Sequence, residues 1–546
     1  DEPGVDIEVL IRKYGFDPRF PSEVEAELRQ VPGDPAAWPL EGRIDFTGDD
    51  VVTIDGETAK DFDDAICVRR TPAGGFRLDV HIADVAYFVP EESETDREAL
   101  RRGTSVYFPG RAIPMLPERL SNDLCSLLPG ELRLTQGVAI EYDCRGRVVG
   151  TRFHDGVIRS RARLTYGEVA RIVEGKDPES RARRSALVPM LDAAAELAAR
   201  LAERRHERGA IDFDLPEPEI LFDLTGETQD IVARPRNAAH RLIEEFMIAA
   251  NEAVATELVK RREPTLYRAH VRPDPVRCER LADALDGLGY ALAGPYTTVT
   301  PQHFAEVLRL ARGRPEEPFV TRLVLRTMAL ARYDESCLGH FGLALRRYLH
   351  FTSPIRRYPD LVAHRALRRL RLGPHGETAG DREDRVARLP ELARECSRLE
   401  REAEAAEREA IAWKVASFMA DRLGDEFEGR IVEVAPYGIL VALDEPAVEG
   451  LVHVSRLGSE YFRHDPRKQV LRGADSGAVF RLGQTLRVRV ERIDALAHYV
   501  DFAPVRPTVE ERSRAASRPG RRSIRLRAGT GRGGGPRSKP RRSGRR

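Results

Sequence analysis

Apolar and polar residues alternate in two stretches early in the chain. Phe76, Leu78, Val80 and Ile82 recur at every second position, as do Val138, Ile140 and Tyr142, which is the period of a strand with one face buried. Arg145-Gly146 supplies a turn, and 147–158 reads as a second strand. The β-rich region spans 46 to about 160. From 165 the period lengthens. Thr165 and Glu168 form a capping-box pattern, and apolar residues recur at helical spacing in 187–205, 238–259, 303–312 and 320–331. Residues 384–423 form one long, charged helical run, read as a solvated helix packed along a single stripe. At Gly424 the pattern returns to strands. Five short apolar runs in 425–503 suggest a small barrel, for which the oligonucleotide-binding (OB) fold is common at this size.

The expected architecture is α+β. It comprises a connector (1–45) with one short helix near 5–13, a catalytic-type domain of mixed sheet and surrounding helices with the long helix at its end (46–424), an OB barrel (425–505), and an Arg-rich, disordered tail (506–546). The formal net charge is zero, but residues 512–546 hold 14 Lys and Arg and no Asp or Glu, leaving 74 basic and 88 acidic residues in the rest. An acidic body with a cationic arm suits a polyanionic partner, because each phosphate neutralised releases counterions; a nonspecific tail that aids solubility is the plainer reading. Six scattered cysteines contain no CxxC pair, which argues against a zinc site or disulfide framework and for a reducing, cytoplasmic setting. No apolar stretch approaches the length of a membrane span.

Three segments carry candidate chemistry. TIDGETAKDFDDA (53–65) gathers Asp55, Asp61, Asp63 and Asp64. Two unit charges ~4 Å apart cost about 1 kcal/mol in water and about 4 kcal/mol at a typical protein dielectric. Such a cluster is either a solvated acidic loop or a site for a hard cation, Mg²⁺ or Mn²⁺. Thr53-Ile54 puts Asp55 at a strand end, and Gly56 permits a turn that could bring all four carboxylates to one point. HFTSPIRRYPDLVAHR (350–365) places Arg356 and Arg357 before a helix, suited to a phosphoryl group or to a surface ion pair. In TSVYFPGRAIPMLPERLSNDLCSLLPG (104–130), Tyr107 and Phe108 are either core or a stacking surface for a base.

Together with HIADVAYFV, LIEEFMIAAN, LYRAH and GHFGLAL, these strings resemble, in order, the catalytic domain of the RNase II/RNB family, nearest its ribonuclease R branch. The resemblance implies a processive 3′→5′ exoribonuclease that hydrolyses RNA to 5′-nucleoside monophosphates with a metal-activated water. It implies Asp55 and Asp64 as direct Mg²⁺ ligands (Mn²⁺ as the alternative), Asp63 as the catalytic carboxylate placing the water or a second metal, and Asp61 supporting the site. Arg356 would stabilise the scissile phosphate, with Arg357 beside it on the RNA. Tyr107 and Tyr267 would clamp the terminal base, Tyr267 standing where Phe is common. The barrel resembles the RNA-binding domain of the ribosomal-protein S-one type through Gly429, Ile431, Val434, Tyr437, Gly438, Val441, Gly450 and His453-Val454-Ser455. Leu440 departs from its usual Phe, removing a stacking face worth about 1–3 kcal/mol and leaving Tyr437, His453, Tyr461 and Phe462 as candidates. The cold-shock-type domains that precede this domain in the ribonuclease R branch have no counterpart in 1–45. The implied partners are single-stranded RNA and RNA with a 3′ overhang, met by a monomer, with the ribosome or RNA-degradation machinery as further partners. Two rival readings are a ribonuclease II-like enzyme that stalls at structured RNA and an inactive RNA-binding scaffold.

Overall fold

The computed structural model describes residues 4–505 apart from 214–217, 224, 234–235, 374–377 and 495–497; the tail 506–546 lies outside the described residues. A seven-stranded sheet organises the first domain. Its strand order is Ile44–Asp45, Val148–Arg159, Leu132–Tyr142, Phe76–Ala83, Asp64–Arg70, Val52–Asp55, Ala162–Thr165. The outer pairs are parallel and the inner ones antiparallel.

The alternation at 76–82 is real, but both faces of this strand are covered. Phe76, Leu78, Val80 and Ile82 pack under the helices Val188–Glu207 and Ala238–Arg261. The intervening Asp79 and His81 are also fully buried. Beyond them a second core is built from Val85, Phe88, Met115, Leu116, Leu120 and the helix Tyr358–Leu372. Period-two patterning alone cannot distinguish a wet polar face from a covered one.

The expected helices form as Val188–Glu207, Ala238–Arg261, Pro301–Ala311 and Glu317–Thr327. The long charged run is one helix, Ala379–Ala420. Leu389, Ala393, Cys396, Leu399, Ala403, Ala406 and Ala410 form its buried stripe. Thr165 caps the Glu168 N–H at 3.2 Å, while the Glu168 side chain bonds Arg184 at 2.9 Å, so only the Thr half of the predicted capping box is made. Residues 4–45, expected as a connector with one short helix, fold against the rest of the chain. Val5–Tyr14 and a second, unexpected helix, Ser22–Gln30, pack onto the body, Trp38 is buried, and Arg43 pairs with the fully buried Asp84 at 2.7 Å.

The five runs of 425–503 close into a barrel of Glu426–Ala435, Gly438–Leu443, Glu449–His453, Tyr499–Pro504 and Thr485–Asp494. Its core holds Ile431, Val434, Ile439, Val441, Val452 and Phe502. Gly450 is required by packing, since a Cβ there would lie 2.4 Å from the Phe502 ring. Among the described residues, no helix is long and apolar enough to cross a membrane.

Candidate active site

The four aspartates lie where two sheet strands end. Asp55 closes Val52–Asp55, and Asp64 opens Asp64–Arg70. Asp63 comes just before the strand that Asp64 opens, and its carbonyl accepts the Ala83 N–H at 2.8 Å. Asp63 continues the register of Ala65 and Cys67, in one core, and Asp64 that of Ile66 and Val68, in the other. The 60–63 segment is fixed from outside. Ser126 Oγ accepts the Phe62 N–H at 3.0 Å and donates to Lys60 O at 2.7 Å, and the Leu127 N–H reaches Phe62 O at 3.0 Å. The Arg163 guanidinium donates to the carbonyls of Gly56 and Glu57 at 2.8 and 2.5 Å, holding the turn after Asp55.

The 104–130 and 350–365 motifs meet at this point. The Ser105 N–H donates to Arg356 O at 3.0 Å, and the Tyr358 N–H donates to Gly103 O at 2.9 Å. The Ile355 N–H donates to Asp63 Oδ1 at 2.8 Å, and Arg356 Nε lies 3.6 Å from Asp63 Oδ2. Arg356 keeps a side chain 44% exposed, able to face a ligand. Arg357 differs from the expectation. It turns inward onto the fully buried Asp360 at 2.7 Å, which itself accepts the Ser353 N–H. Arg357 therefore braces the loop and does not present itself to RNA.

The electrostatics are those of a site short of positive charge. Burial pushes the Asp55 carboxyl up, and the neighbouring charges of Asp64 and Asp61 add to this against Arg163 and Arg356. Burial likewise raises Asp63, opposed by Arg356 and the Ile355 N–H, and raises Asp64, opposed by Arg356 and Arg357. Asp55 Oδ2 and Asp63 Oδ2 are buried without a hydrogen-bond donor. Acceptor-only hard oxygens in this condition suit a divalent cation. Among the described residues, however, no three Asp, Glu, His or Cys side chains are arranged as a ready metal cage. The four carboxylates nonetheless act on one another, with Asp61 and Asp64 raising both Asp55 and Asp63. Partial ligation fits Mg²⁺, which keeps several waters and takes one or two carboxylates together with substrate phosphate oxygens.

Asp61 accepts the Tyr107 hydroxyl at 2.9 Å. The Tyr107 N–H donates to Glu407 on the long helix at 2.7 Å. Tyr107 is 41% exposed whereas Phe108 is buried, so the aromatic pair divides into one residue open to a ligand and one core residue. Tyr107→Phe is expected to raise KM for a short RNA up to about tenfold, with a smaller change in kcat. It removes one charge-assisted hydrogen bond, worth roughly 1.5–3 kcal/mol, but keeps the ring. Tyr107→Ala, which also removes the ring, should cost more in steady-state kinetics.

Tyr267 corrects another expectation. It is only 7% exposed and belongs to the core under the sheet. It lies in the short strand Tyr267–Ala269, paired with Arg332–Asp334, and offers no free ring face. In the barrel, Tyr437 and Tyr461 are well exposed. His453 is exposed with its Nδ1 engaged by Ser455. Phe462 is buried against Phe480 in the barrel core and cannot stack on a base.

Glu407, Arg163 and Ser126 were not singled out from sequence. Glu407 is hidden in a charged run. Its one signal is the alanine stripe Ala403, Ala406 and Ala410, which marks the buried side of that helix.

A carboxylate cluster at the edge of a mixed sheet, faced by an arginine loop and followed by an OB barrel, defines an RNB-domain protein with an S1 RNA binding domain. The corresponding family models match residues 43–372 and 420–503. Ribonuclease R of Aquifex aeolicus is 43% identical over 501 residues, 92% of this chain and 70% of that protein. Ribonuclease R of Escherichia coli is 39% identical over 505 residues, 92% of this chain and 62% of that protein. A solved structure of Mycoplasma genitalium RNase R in complex with ribose methylated single-stranded RNA superposes with a TM-score of 0.84 at 30% identity, covering 92% of this chain and 78% of that one. The chain belongs to the ribonuclease R family. It spans 62 to 70% of the length of these two curated relatives.

Proposed function

We propose that this chain is a hydrolytic 3′→5′ exoribonuclease that shortens single-stranded RNA and 3′ overhangs one nucleotide at a time and releases 5′-nucleoside monophosphates. One observation carries the reading. Buried, donor-less carboxylate oxygens on Asp55 and Asp63 sit beside a half-exposed Arg356 and an exposed Tyr107. Asp55 and Asp64 would hold the cation, Mg²⁺ or Mn²⁺. When bound, it would lower the pKa of a coordinated water and stabilise charge on the leaving 3′-oxygen.

The protein groups do the remaining work. Arg356 neutralises charge on the scissile phosphate. The Ile355 N–H holds Asp63 by one oxygen, leaving the other to orient the attacking water. Tyr107, anchored by Asp61 and Glu407, stacks on the terminal base and places the last phosphodiester. A 2′-hydroxyl read near the site would distinguish RNA from DNA. We place the protein in the cytoplasm as a monomer, a setting consistent with six cysteines all free as thiols.

The test is digestion of a duplex with a 3′ single-stranded overhang, with Mg²⁺ or with EDTA, and products resolved by size. Mononucleotides with Mg²⁺ and none with EDTA are expected. No release in either Mg²⁺ or Mn²⁺ would overturn the reading. Digestion that continues into the duplex separates a ribonuclease R-type enzyme from a ribonuclease II-type one.

A further inference from the structure

A cleft of about 270 Å³ opens between the helices Pro275–Asp286 and Glu317–Thr327, away from the aspartates. Arg277, Arg280 and Arg326 line it over a floor of Leu281 and Leu323, and no carboxylate contributes to its wall. Arg326 is bound to Glu433 of the barrel through paired contacts of 3.2 and 3.0 Å. Arg277 and Arg280 are exposed and have no carboxylate partner among the described residues. Guanidinium groups with no counter-charge, gathered in a concavity, match phosphate oxygens.

A second cavity of about 640 Å³ adjoins this cleft and shares Arg326 with it. It is lined by the barrel residues Tyr437, Leu440, Leu451 and Tyr499, with Tyr437 58% and Tyr499 69% exposed, and by Glu433, Glu449 and Asp501, which are paired with Arg326, Arg322 and Arg492. Aromatic and apolar surface beside cationic surface is the arrangement that binds single strands, with bases on the rings and backbone on the charges. The surroundings are tightly built. A Cβ on Gly287, just after the first helix, would lie 1.9 Å from Arg467 O, in the turn before the strand Val470–Gly473, and one on Gly483 would lie 2.3 Å from Pro315. Arg322 adds an ion pair to Glu449. Barrel and helices are thus joined around the cleft.

The geometry points to Arg277 and Arg280, with Arg326 held beside them by Glu433, as a phosphate-binding cleft for single-stranded RNA that crosses the barrel face on its way to the active site. This deepens the exoribonuclease reading and rests on it. It also gives the barrel a compensation for Leu440, since phosphate contacts next door replace part of what a missing aromatic ring would contribute.

The experiment uses the 546-residue chain, the double variant Arg277→Ala/Arg280→Ala and, as a control for charge alone, Arg145→Ala/Arg147→Ala on a distant hairpin. Binding of a ~25-nucleotide and a ~5-nucleotide RNA is measured in EDTA across a salt series, the shorter RNA being no longer than a single barrel's site. The first variant should lose about tenfold in affinity for the longer RNA near ~0.1 M salt, with its log–log salt slope shallower by about 1.4, or 0.7 per phosphate released. The loss on the shorter RNA should be smaller, and the control should lose less than twofold on either. An unchanged slope, an equal loss on both RNAs, or an equal loss in the control would each overturn the cleft. Because binding is read without cation, these outcomes are separate from a failure of the unsubstituted chain to hydrolyse RNA in Mg²⁺, which would instead overturn the enzymatic reading.

Discussion

Asp63→Asn is expected to reduce RNA hydrolysis by at least about a thousandfold, while RNA affinity in EDTA stays within a few-fold. The substitution is nearly isosteric, and the amide oxygen can still accept the Ile355 N–H that now reaches Asp63 Oδ1 at 2.8 Å. What is lost is the charge on Oδ2, the buried oxygen with no donor of its own. The same change should leave the thermal midpoint unchanged or raise it when no cation is present. Burial already raises the proton affinity of this carboxyl, so the folded protein gives up stability to hold it there. Single-turnover hydrolysis, equilibrium binding and thermal melting on one preparation test all three statements. A residual rate within tenfold of the parent, or a collapse in RNA binding, would contradict the role given to Asp63.

Asp84→Ala should have the largest effect on stability, about 3–5 kcal/mol, because it takes from Arg43 and Arg368 the buried carboxylate they share. The Asp84 carboxylate is fully buried and receives Arg43 from the N-terminal segment and Arg368 from the helix Tyr358–Leu372. Burial pushes this carboxyl up, and Arg368 and Arg43 overcome it, leaving it at about 2. A folded pKa below the unfolded value of about 3.9 means the stabilisation, roughly 2–3 kcal/mol, is fully present above about pH 4 and is lost as pH falls through about 2. Denaturant unfolding of parent and variant from pH 7 down to 2 measures it. The stability difference should be wide at neutral pH and narrow across the acid window. A variant that unfolds at the same denaturant concentration as the parent at pH 7 would sink the assignment.

Much of the site could be read from the chain before any fold was known. Asp55, Asp61, Asp63, Asp64, Arg356 and Tyr107 all lie in strings whose residue types declare their chemistry, and the structure brings all six into one neighbourhood. The failures have a common cause. Tyr267, Phe462 and Arg357 have the right chemistry for RNA, yet two are buried in cores and the third is bound to Asp360. An aromatic ring or a guanidinium looks the same in sequence whether its neighbour is solvent, a core or a carboxylate. Glu407 shows the reverse error, a carboxylate in a run that reads as solvated and that carries one of the two anchors of Tyr107.

Local order was written in the chain. The alternation at 76–82, the helical spacing of 187–205 and 238–259, the long helix and the five barrel strands all follow from side-chain periodicity and turn residues, which act over a few positions. Only the tertiary structure decided which carboxylates work together. The Tyr107 hydroxyl takes Asp61, and a backbone N–H almost 300 residues away takes one oxygen of Asp63. These assignments depend on segments far apart in the chain being packed together, and no local pattern encodes distances of that kind.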